Sequence, residues 1–469
     1  MFKLSQAKTT VKTEVVAGIT TFMAMAYILA VNPDILSACG MPKGGVFVAT
    51  ALASFVGTML MALLANYPFA LAPGMGLNAF FAFAVCGAMG YSWQFALLAI
   101  LVEGLLFLAL SLTPVREGLF NSIPLSMKKA VAVGIGLFIT FIALQNAKVV
   151  VDNPATLVDL AKFNGANFHS TGMWAILAIA GTLVAAILVA RGVPGAILLG
   201  IFITWILGMA CERIGLYRPD PAAGCFSTIP HFGNYFTTLG DTFREFGTTC
   251  GAVFHSDQWT RTVDGAVVGS GWSLVKSLDF FAVMFAFFFV DLFDTLGTLI
   301  GCAMKGDMLD KDGKLPRISG ALCADSIATC VGAVFGTSTV TTYVESASGV
   351  AAGGRTGLTA VTTAAFFILA LVFSPIFLAI PGFATATALM LVGFYMIQAI
   401  TGIDFEDPCE GIPAFICIAS MPLTYSISNG IMFGVISYAV INLFAGRAKK
   451  VHPIMYVLAV VFIAKYALI

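Results

Sequence analysis

Long apolar runs separated by short polar segments fill most of the chain. A helix needs roughly 20 apolar residues to cross a bilayer, and most of these runs approach or exceed that length. They predict an all-α polytopic membrane protein with fourteen transmembrane segments, followed by an apolar C-terminal segment at 452–468 whose placement stays open. The fourteen runs are 15–32, 46–66, 70–89, 92–113, 125–147, 172–190, 194–212, 276–303, 319–335, 338–353, 358–380, 383–401, 411–425 and 428–445.

A polar stretch at 213–275 separates seven apolar runs before it from seven after it, as expected where a duplicated chain is joined. The third run of each seven, 70–89 and 338–353, is interrupted by residues that disfavour a helix. Interrupted segments at matching places in two halves are the best sequence indication of a transporter's binding site. Non-helical backbone at membrane depth is tolerated only where it is buried or lines a cavity. The pattern therefore predicts a central cavity between these two segments.

Each interrupted run is predicted to contain a short extended piece followed by a helix. Pro73 and Gly74 weaken the helix in the first run, and the hydroxyl-bearing, β-branched residues at 337–342 favour extended backbone in the second. We expect 70–74 and 337–341 to pair as two short antiparallel strands. Helices that begin near positions 75 and 343 would then point free N–H groups into one cavity.

The eighth run carries two carboxylates, Asp291 and Asp294, inside an apolar stretch. Near the centre of a membrane each would cost about 2.5–3.5 kcal/mol on insertion scales. On a helix, both Asp share one face with Thr295 and Thr298, because these positions follow the i, i+3, i+4, i+7 spacing. This face is predicted to line the cavity. Position alone leaves Asp291 open between a cation or proton site and a structural acceptor for backbone N–H groups of the third or tenth segment.

Composition supports a membrane protein and excludes several function classes. Hydrophobic residues make up 59% of the chain and charged residues 10%, against about 25% charged residues in soluble domains. The formal net charge is zero, which indicates no nucleic-acid role. The ten Cys and four His show no metal-ligand spacing, so neither a metal nor another cofactor is predicted. Cys225 and Cys250 share the 213–275 loop and could form a disulfide if it faces an oxidising space.

Basic residues indicate the orientation in the membrane. With fourteen segments, Arg191, Arg355 and the basic stretch at 447–450 fall on the same side as the N-terminus. Because basic loops stay in the cytoplasm, the N-terminus is predicted to be cytoplasmic. The apolar run after residues 1–14 is too long for a typical signal peptide, and we interpret it as a retained helix of the inner (plasma) membrane.

Three stretches together carry a resemblance to a known family. They are 72–81 (APGMGLNAFF), 291–298 (DLFDTLGT) and 336–346 (GTSTVTTYVES), with GGRTGLT at 353–359. They resemble the nucleobase–cation symporter family of xanthine, uracil and purine permeases, above all its hypoxanthine/guanine/adenine branch. The resemblance covers nearly the whole chain and implies two inverted repeats of seven helices.

The resemblance also implies a division into domains and a homodimer formed through the gate domain. The implied ranges are 1–14 for the cytoplasmic N-terminus, 15–113 and 276–380 for the core domain (spans 1–4 and 8–11), 125–212 and 383–445 for the gate domain (spans 5–7 and 12–14), 213–275 for a long external loop, and 446–469 for the C-terminal segment.

In relatives, one acid in span 8 and one in span 10 bind the base, and the matching positions here are Asp294 and Glu345. Uracil and xanthine carriers have Glu at the first position and His four residues later, where this chain has Asp294 and Thr298. Glu345 is expected near the start of the second broken helix and to accept two N–H bonds from one purine edge. Asp294 would hold a second edge or carry the coupling proton, with Asp291 and Thr298 as further coupling residues.

The remaining candidates would complete the base site. Backbone N–H groups near the start of the first broken helix, and the amide of Asn78, would bind the base, and aromatic rings would stack on it. Arg355 is interpreted as a cytoplasmic anchor. The candidates are Met75, Gly76, Leu77, Asn78, Phe80, Thr342 and Tyr343, with Thr21, Phe22 and Tyr27 of the first span as additional lining residues.

The expected function is secondary active import of purine nucleobases with a cation, H⁺ or Na⁺, through one central site exposed alternately to each side. No enzyme activity is expected. One alternative is an anion carrier or channel of similar inverted-repeat architecture, which would prefer Arg, Lys or bare helix N-termini over three carboxylates. Another is an intramembrane aspartyl protease, which needs two acids converging on one peptide, whereas Asp291 and Asp294 share a helix. The preferred purine stays open.

Overall fold

The structure, a computed structural model, describes residues 2, 4–113, 124–163, 165–230, 235–310 and 315–468. Within these residues, eleven helical segments are long and apolar enough to cross a membrane. Shorter apolar helices lie at Met75–Ala88, Pro408–Leu423 and Pro453–Ala464. The protein is therefore helical and multi-pass, as predicted, while the count of fourteen spans stays a prediction.

Among the described residues, the first half of the chain contains five helices before position 114 and three long helices after position 123. Its elements are α1 (Val11–Met25), α2 (Ile28–Ser37), α3 (Lys43–Leu60, continued by a π-turn at Met61–Ala65), β1 (Leu71–Pro73), α4 (Met75–Ala79, continued as a π-helix at Phe80–Ala88), α5 (Trp93–Ser111), α6 (Leu125–Asn146), β2 (Val150–Asn153), β3 (Leu157–Leu160), α7 (Met173–Ala190) and α8 (Ala196–Arg213).

The second half begins with the polar stretch and continues with the remaining helices. Its elements are α9 (Tyr235–Thr249), β4 (Thr260–Val263), β5 (Ala266–Ser270), α10 (Trp272–Val275), α11 (Leu278–Lys305), α12 (Ile318–Phe335), β6 (Val340–Thr342), α13 (Ser346–Ala351), α14 (Gly357–Ala370), α15 (Ser374–Leu378), α16 (Gly382–Ile397), α17 (Pro408–Leu423), α18 (Ile427–Phe444) and α19 (Pro453–Leu468).

The two interrupted segments pair with each other, which confirms the predicted antiparallel ribbon. In the register of β1 and β6, Leu71 lies opposite Thr342 and Pro73 lies opposite Val340. Proline cannot donate to a ladder, but it is tolerated here because both strands of a two-stranded ribbon are edge strands. The ribbon joins the first half of the chain to the second at the middle of the fold.

The helix after β6 begins later than predicted. Tyr343 still donates its N–H to Ala70 O at 2.9 Å, so the backbone follows the ribbon one residue past the strand. The helix α13 consequently begins at Ser346, not near 343, and Glu345 precedes it instead of lying in its first turn. The helix after β1 begins at Met75, as predicted.

Side chains from neighbouring helices bind the outer edges of the ribbon. The Thr58 hydroxyl of α3 accepts the N–H of Leu71 at 2.9 Å and donates to its carbonyl at 3.2 Å. On the other edge, Asp325 Oδ1 of α12 accepts the N–H of Thr342 at 3.1 Å, and Thr329 Oγ1 donates to the first carbonyl of β6 at 3.0 Å. Backbone groups at membrane depth cannot bond to water, so these partners permit extended backbone in the interior.

The helices pack in two groups. The strand group contains the ribbon with α1–α5 and α11–α14, in which α3 packs on α2, α12 and α14, and α5 packs on α11 and α12. The bundle group contains α6–α8 and α16–α18, in which α6 packs on α16 and α17, and α7 packs on α8 and α16. The two groups touch along a limited seam, where α4 and α11 meet α6, α2 meets α16, α1 meets α8 and α11 meets α18.

The polar stretch at 213–275 folds over one end of the strand group. Helix α9 packs on α3, and Glu245 Oε2 accepts the N–H of Gly44 at 2.8 Å. Gly336, which ends α12 with φ +91°, lies so close to Thr249 that an added Cβ would come within 2.6 Å of its side chain. The stretch therefore contains ordered structure that fixes the turn leading into β6.

The suggested disulfide does not form, and Cys225 and Cys250 are both free thiols. Cys225 is buried in a tight turn, where it exchanges two backbone hydrogen bonds with Asp220 at 2.7 and 3.0 Å. Cys250 instead follows the last turn of α9. Burial raises the pKa of the Cys225 thiol, which reduces the thiolate that disulfide formation requires.

A buried carboxylate joins the start of the chain to its second half. Glu14 of α1 is 0% exposed. Its side chain accepts the N–H groups of Arg355, Thr356 and Thr359 at 3.0–3.2 Å and the Thr359 hydroxyl at 2.6 Å. These donors surround the N-terminus of α14, where a negative charge is favoured by the helix dipole. Glu14 is therefore a structural carboxylate.

Replacing Glu14 with Ala is expected to destabilise the protein by about 2–4 kcal/mol, because it leaves several buried donors unsatisfied. Glu14→Gln should be less damaging, since an amide oxygen still accepts hydrogen bonds. The measurement is the thermal midpoint of the purified protein in detergent, with Glu406→Ala, at an exposed loop position, as control. An unchanged midpoint for Glu14→Ala would contradict the role of this carboxylate.

Candidate functional site

A cavity of about 330 Å³ lies between the strand group and the bundle group. Its volume falls within the range of about 300–1,000 Å³ typical of small-molecule sites. The strand group contributes Tyr27, Gly74, Met75, Gly76, Val290, Asp294, Gly297, Thr298, Gly301, Thr342, Tyr343, Val344 and Glu345, and the opposite wall contains Lys128, Val131, Ala132, Ile135, Val392, Tyr395, Met396 and Ala399.

The structure brings most of the predicted site residues to this cavity. Those that line it are Met75, Gly76, Asp294, Thr298, Thr342, Tyr343 and Glu345, together with Tyr27 of the first span. They come from the ends of β1 and β6 and from the helices that follow or cross them. The two broken segments and the polar face of α11 therefore converge, as the sequence pattern indicates.

Glu345 directs its carboxylate to the cavity and not to its own helix. Among the described residues, its side chain makes no capping bond to the turn that follows. Its Oε1 accepts a 2.6 Å hydrogen bond from the hydroxyl of Tyr27. Because a carboxylate has about four acceptor positions, this bond orients Glu345 and leaves acceptor capacity for a ligand.

Asp294 supplies the second carboxylate of the cavity from helix α11. It lies near enough to Glu345 for the two charges to interact. Both groups are set in a wall that is otherwise mainly apolar or backbone. Two acceptor groups in an apolar cleft suit a flat ligand that carries N–H donors on more than one edge.

Tyr343 lines the cavity and also ties the two strands together. Its hydroxyl donates a 2.6 Å hydrogen bond to the carbonyl of Pro73 at the end of β1. The ring is almost fully buried. It is thereby fixed in one position, beside Glu345 on one side and Gly74 on the other.

Several predicted residues lie outside the cavity. The prediction that Phe80 stacks on a ligand is corrected, because its ring is buried edge-on against Phe287, with centroids 4.8 Å apart. Asn78 is also buried, and its amide reaches Pro73 O at 3.4 Å. Leu77 and Asp291 are buried away from the lining as well. A π-helix starts at Phe80, and from there this segment packs against α5 and α2.

The other additional candidates of the first span serve packing. Phe22 packs against Phe366 and Phe367, with ring centroids 5.4 and 5.3 Å apart. Thr21 lies against Gly349, where an added Cβ would collide with its hydroxyl. Arg355 donates to two backbone carbonyls in its own turn and lies away from the cavity.

A carboxylate that the sequence analysis did not single out supports the cavity from behind. Asp325 of α12 accepts the N–H and hydroxyl of Thr342 at 3.1 and 3.2 Å and the hydroxyl of Thr295 at 2.9 Å. Thr295 also bonds to Thr341 at 2.6 Å. The role of backbone acceptor that was left open for Asp291 thus belongs to Asp325. Its signal was a lone Asp within the apolar run 319–335.

The bundle-group wall of the cavity was not predicted. Apart from Lys128 and Tyr395, it is formed mainly by aliphatic side chains and Met396. Such residues carry no pattern that separates a cavity wall from ordinary packing. Gly76 approaches this wall so closely that an added Cβ would lie 2.5 Å from Ile135, so the seam between the groups is narrow at this level.

Comparison with known proteins agrees with these observations. The model of the Permease family matches residues 12–433. The guanine/hypoxanthine permease PbuO of Bacillus subtilis is 40% identical over 98% of this chain and 98% of its own length. The adenine permease AdeP of Escherichia coli is 39% identical over 100% of this chain and 96% of its own length.

Among solved structures, the transmembrane domain of the cyanobacterial bicarbonate transporter BicA has a similar fold. The TM-score is 0.58 with 12% identity, over 90% of this chain and 97% of that one. At this identity the likeness concerns the fold alone.

The hydroxyl of Thr295 is expected to matter for stability, whereas that of Thr298, one turn along the same face, is not. Thr295→Val keeps the shape but removes the donor to Asp325, leaving a buried carboxylate oxygen without its partner, which costs about 1–3 kcal/mol. Thr298→Val, at the cavity surface, is the matched control. Thermal midpoints in detergent measure the difference, and equal midpoints for the two variants would contradict the supporting role of this network.

Proposed function

The chain belongs to the Permease family, that is, to the nucleobase–cation symporter family and its hypoxanthine/guanine/adenine branch, and on this premise we propose that it imports purine nucleobases by cation symport. The observation that carries the proposal is the pair Asp294 and Glu345, which face one cavity of about 330 Å³ from two different elements, helix α11 and the backbone between β6 and α13. Guanine, hypoxanthine or adenine is the proposed substrate, after the relatives' names.

Recognition of the base follows from the hydrogen-bond chemistry of the two carboxylates. A purine base presents N–H donors on its edges and a flat apolar face. Glu345 accepts N–H groups of one edge, and Asp294 accepts those of another. The backbone N–H groups of Met75 and Gly76, which begin α4 and lack acceptors within that helix, bind a ring nitrogen or carbonyl. The apolar bundle-group wall and the ring of Tyr343 enclose the faces of the base.

Coupling uses a proton in this proposal. A carboxyl group in a closed apolar cavity binds and releases a proton more readily than it holds an uncompensated charge. Asp294 is at once a base ligand and a candidate proton carrier, with Thr298 one turn away on the same cavity face. A proton on Asp294 reduces the negative charge of the cavity in which the base binds, and Asp291, on the same helix, is a further coupling residue in this proposal.

Transport requires that the cavity open alternately to the two sides. We assign the strand group as the core domain and the bundle group as the gate domain, which move against each other in an elevator-like or rocking manner. The cavity extends towards Lys128 at the start of α6 and Ala399 beyond the end of α16. With the N-terminus in the cytoplasm of an inner-membrane protein, this is the cytoplasmic side. A homodimer through the gate domain would hold the gate still.

The opposite side is closed by a contact between the groups. Asp34 of α2 accepts a 2.8 Å hydrogen bond from the hydroxyl of Thr385 near the start of α16. Its other oxygen pairs with Lys43 at 2.8 Å. Thr385 lies at the end of α16 remote from Ala399, so this contact belongs to the state in which the outer side is shut.

The proposal is tested by uptake of radiolabelled hypoxanthine in cells that lack their own purine carriers, with unlabelled adenine, guanine, xanthine and uracil as competitors. Saturable uptake that a protonophore abolishes is expected, and the competitor ranking identifies the preferred base. Uptake driven by Na⁺ would replace the proton by sodium. Absence of any base uptake, with the protein shown to reach the membrane, would overturn the proposed substrate.

Glu345→Gln is expected to reduce hypoxanthine uptake about 10- to 100-fold, since a hydrogen bond to a charged acceptor contributes about 1.5–3 kcal/mol. Tyr27→Phe keeps the carboxylate and removes only the hydroxyl that orients it, so a smaller loss of about 2- to 10-fold is expected. Uptake is normalised to the amount of protein in the membrane. Wild-type uptake by Glu345→Gln would remove this residue from the binding site.

Thr385→Val is expected to weaken the closed outer side by about 0.5–1.5 kcal/mol, the usual net contribution of one hydrogen bond. A larger fraction of carriers then faces outwards, and the apparent KM for external base falls about 2- to 10-fold. Thr387→Val is the matched control, because among the described residues the Thr387 hydroxyl bonds within its own helix, to Ala384 O at 2.7 Å. Equal KM values for the two variants would contradict this closure.

A further inference from the structure

A second group of carboxyls lies behind the ribbon, away from the base cavity. It consists of Glu103 on α5, Asp291 on α11 and Asp325 on α12, and all three side chains are 0% exposed. Asp325 is surrounded by hydroxyl and N–H donors. Glu103 differs, because within the described residues neither of its carboxyl oxygens receives a hydrogen bond from an N–H or hydroxyl group.

The group within hydrogen-bonding reach of Glu103 is the carboxyl of Asp291. Asp291 has an unsatisfied oxygen of its own, Oδ2, and its other oxygen meets Thr295 only at 3.4 Å. Two ionised carboxylates are both acceptors, so they form a hydrogen bond only when one of them carries a proton. Two neighbouring carboxyl groups cannot both be ionised in a low-dielectric interior, because their negative charges repel.

No cation compensates these groups in the part of the chain that the structure describes. The ion pairs found there are Lys43–Asp34, Arg244–Asp241, Arg261–Asp279 and Arg447–Asp407, all outside this cluster. The titratable groups that face Glu103 and Asp291 from the surrounding helices are Asp294, Asp325 and Cys330. All of them add negative charge if ionised. A proton is therefore the compensating ion that the surroundings favour.

The pair is connected to the base cavity through the hydroxyl network. Asp291 reaches Thr295, which bonds to Asp325 at 2.9 Å, and Asp325 holds the N–H of Thr342 at the cavity. A change of charge at Glu103 and Asp291 therefore acts through Thr295 on Asp325, the carboxylate that accepts the N–H of Thr342 in β6. Asp291 also lies one turn from Asp294 on the same helix, near enough for the two charges to interact.

We propose that Glu103 and Asp291 share one exchangeable proton and form the coupling site of this carrier, distinct from the base-binding pair Asp294 and Glu345. The proposal rests on the proposed proton symport and deepens it. The shared proton stays on one carboxyl as an O–H and donates to an oxygen of the other. Its loss leaves two adjacent charges in an apolar interior, so the strand group crosses the membrane with the pair protonated.

A structural role would require donors, as other buried carboxylates of this protein show. Glu14 receives four hydrogen bonds and Asp325 receives three. Replacing either by an amide would disturb a satisfied network. Glu103→Gln, by contrast, supplies an N–H donor to Asp291 and imitates the protonated state permanently. The variant is thus expected to fold, but its base transport should no longer be coupled to the movement of a proton.

The test compares Glu103→Gln with wild type in proteoliposomes. Equilibrium binding of labelled hypoxanthine and counterflow exchange should be retained, whereas accumulation driven by a pH gradient should fall by about tenfold or more, the effect of 1.4 kcal/mol. The pH dependence of uptake should also flatten. Asp291→Asn should show the same separation. Glu345→Gln is the matched contrast and should lose binding itself.

Infrared spectroscopy of the protein without base tests the shared proton directly. The carbonyl stretch of a protonated carboxylic acid, which shifts in D₂O, should be present in wild type and lost in Glu103→Gln. If wild type transports no base, the proposed function fails while this band still reports on the pair. Wild-type accumulation by a folded Glu103→Gln, or accumulation driven by Na⁺ alone, would overturn the proposed coupling site.

Discussion

The structure depends on one requirement, that extended backbone at membrane depth must have every N–H and C=O bonded within the protein. The β1–β6 ribbon meets it on its inner edges by pairing and on its outer edges through Thr58, Asp325 and Thr329. Since each strand comes from a different half, the ribbon locks the halves together. It also holds Tyr343, Glu345 and Gly74 at one edge of the cavity.

The buried carboxylates can be ordered by the donors they receive, and the order separates their roles. Glu14 and Asp325 are satisfied by several N–H and hydroxyl groups and hold elements together. Glu345 accepts one bond, from Tyr27, and faces the cavity. Glu103 receives none from the described N–H and hydroxyl groups. A membrane protein retains such a group only with a function, because an uncompensated charge is costly there.

The two walls of the cavity differ in their chemistry and in the kind of contact that holds their residues together. The strand-group wall contains both carboxylates and the ribbon ends, and hydrogen bonds join Tyr27 to Glu345 and Tyr343 to Pro73 within it. The bundle-group wall is mainly aliphatic and touches the strand group along a limited seam. Apolar contacts are not directional, so such a seam can slide without breaking a network. This difference is the physical basis of our proposal that the strand group is the core domain and the bundle group the gate domain.

Local rules on the sequence determined the apolar runs, the interrupted segments, the antiparallel ribbon and the polar face of α11, because helix breaking and residue periodicity depend on near neighbours. They also placed Asp294 and Glu345 at the cavity. Only the tertiary structure decided that Phe80 packs on Phe287, that Asp325 and not Asp291 holds β6, that Glu103 faces Asp291, and that Tyr27 orients Glu345 from 318 positions away. Such partners are set by how distant helices pack. A lone carboxyl or aromatic in an apolar run shows that a partner is needed, but not which helix supplies it.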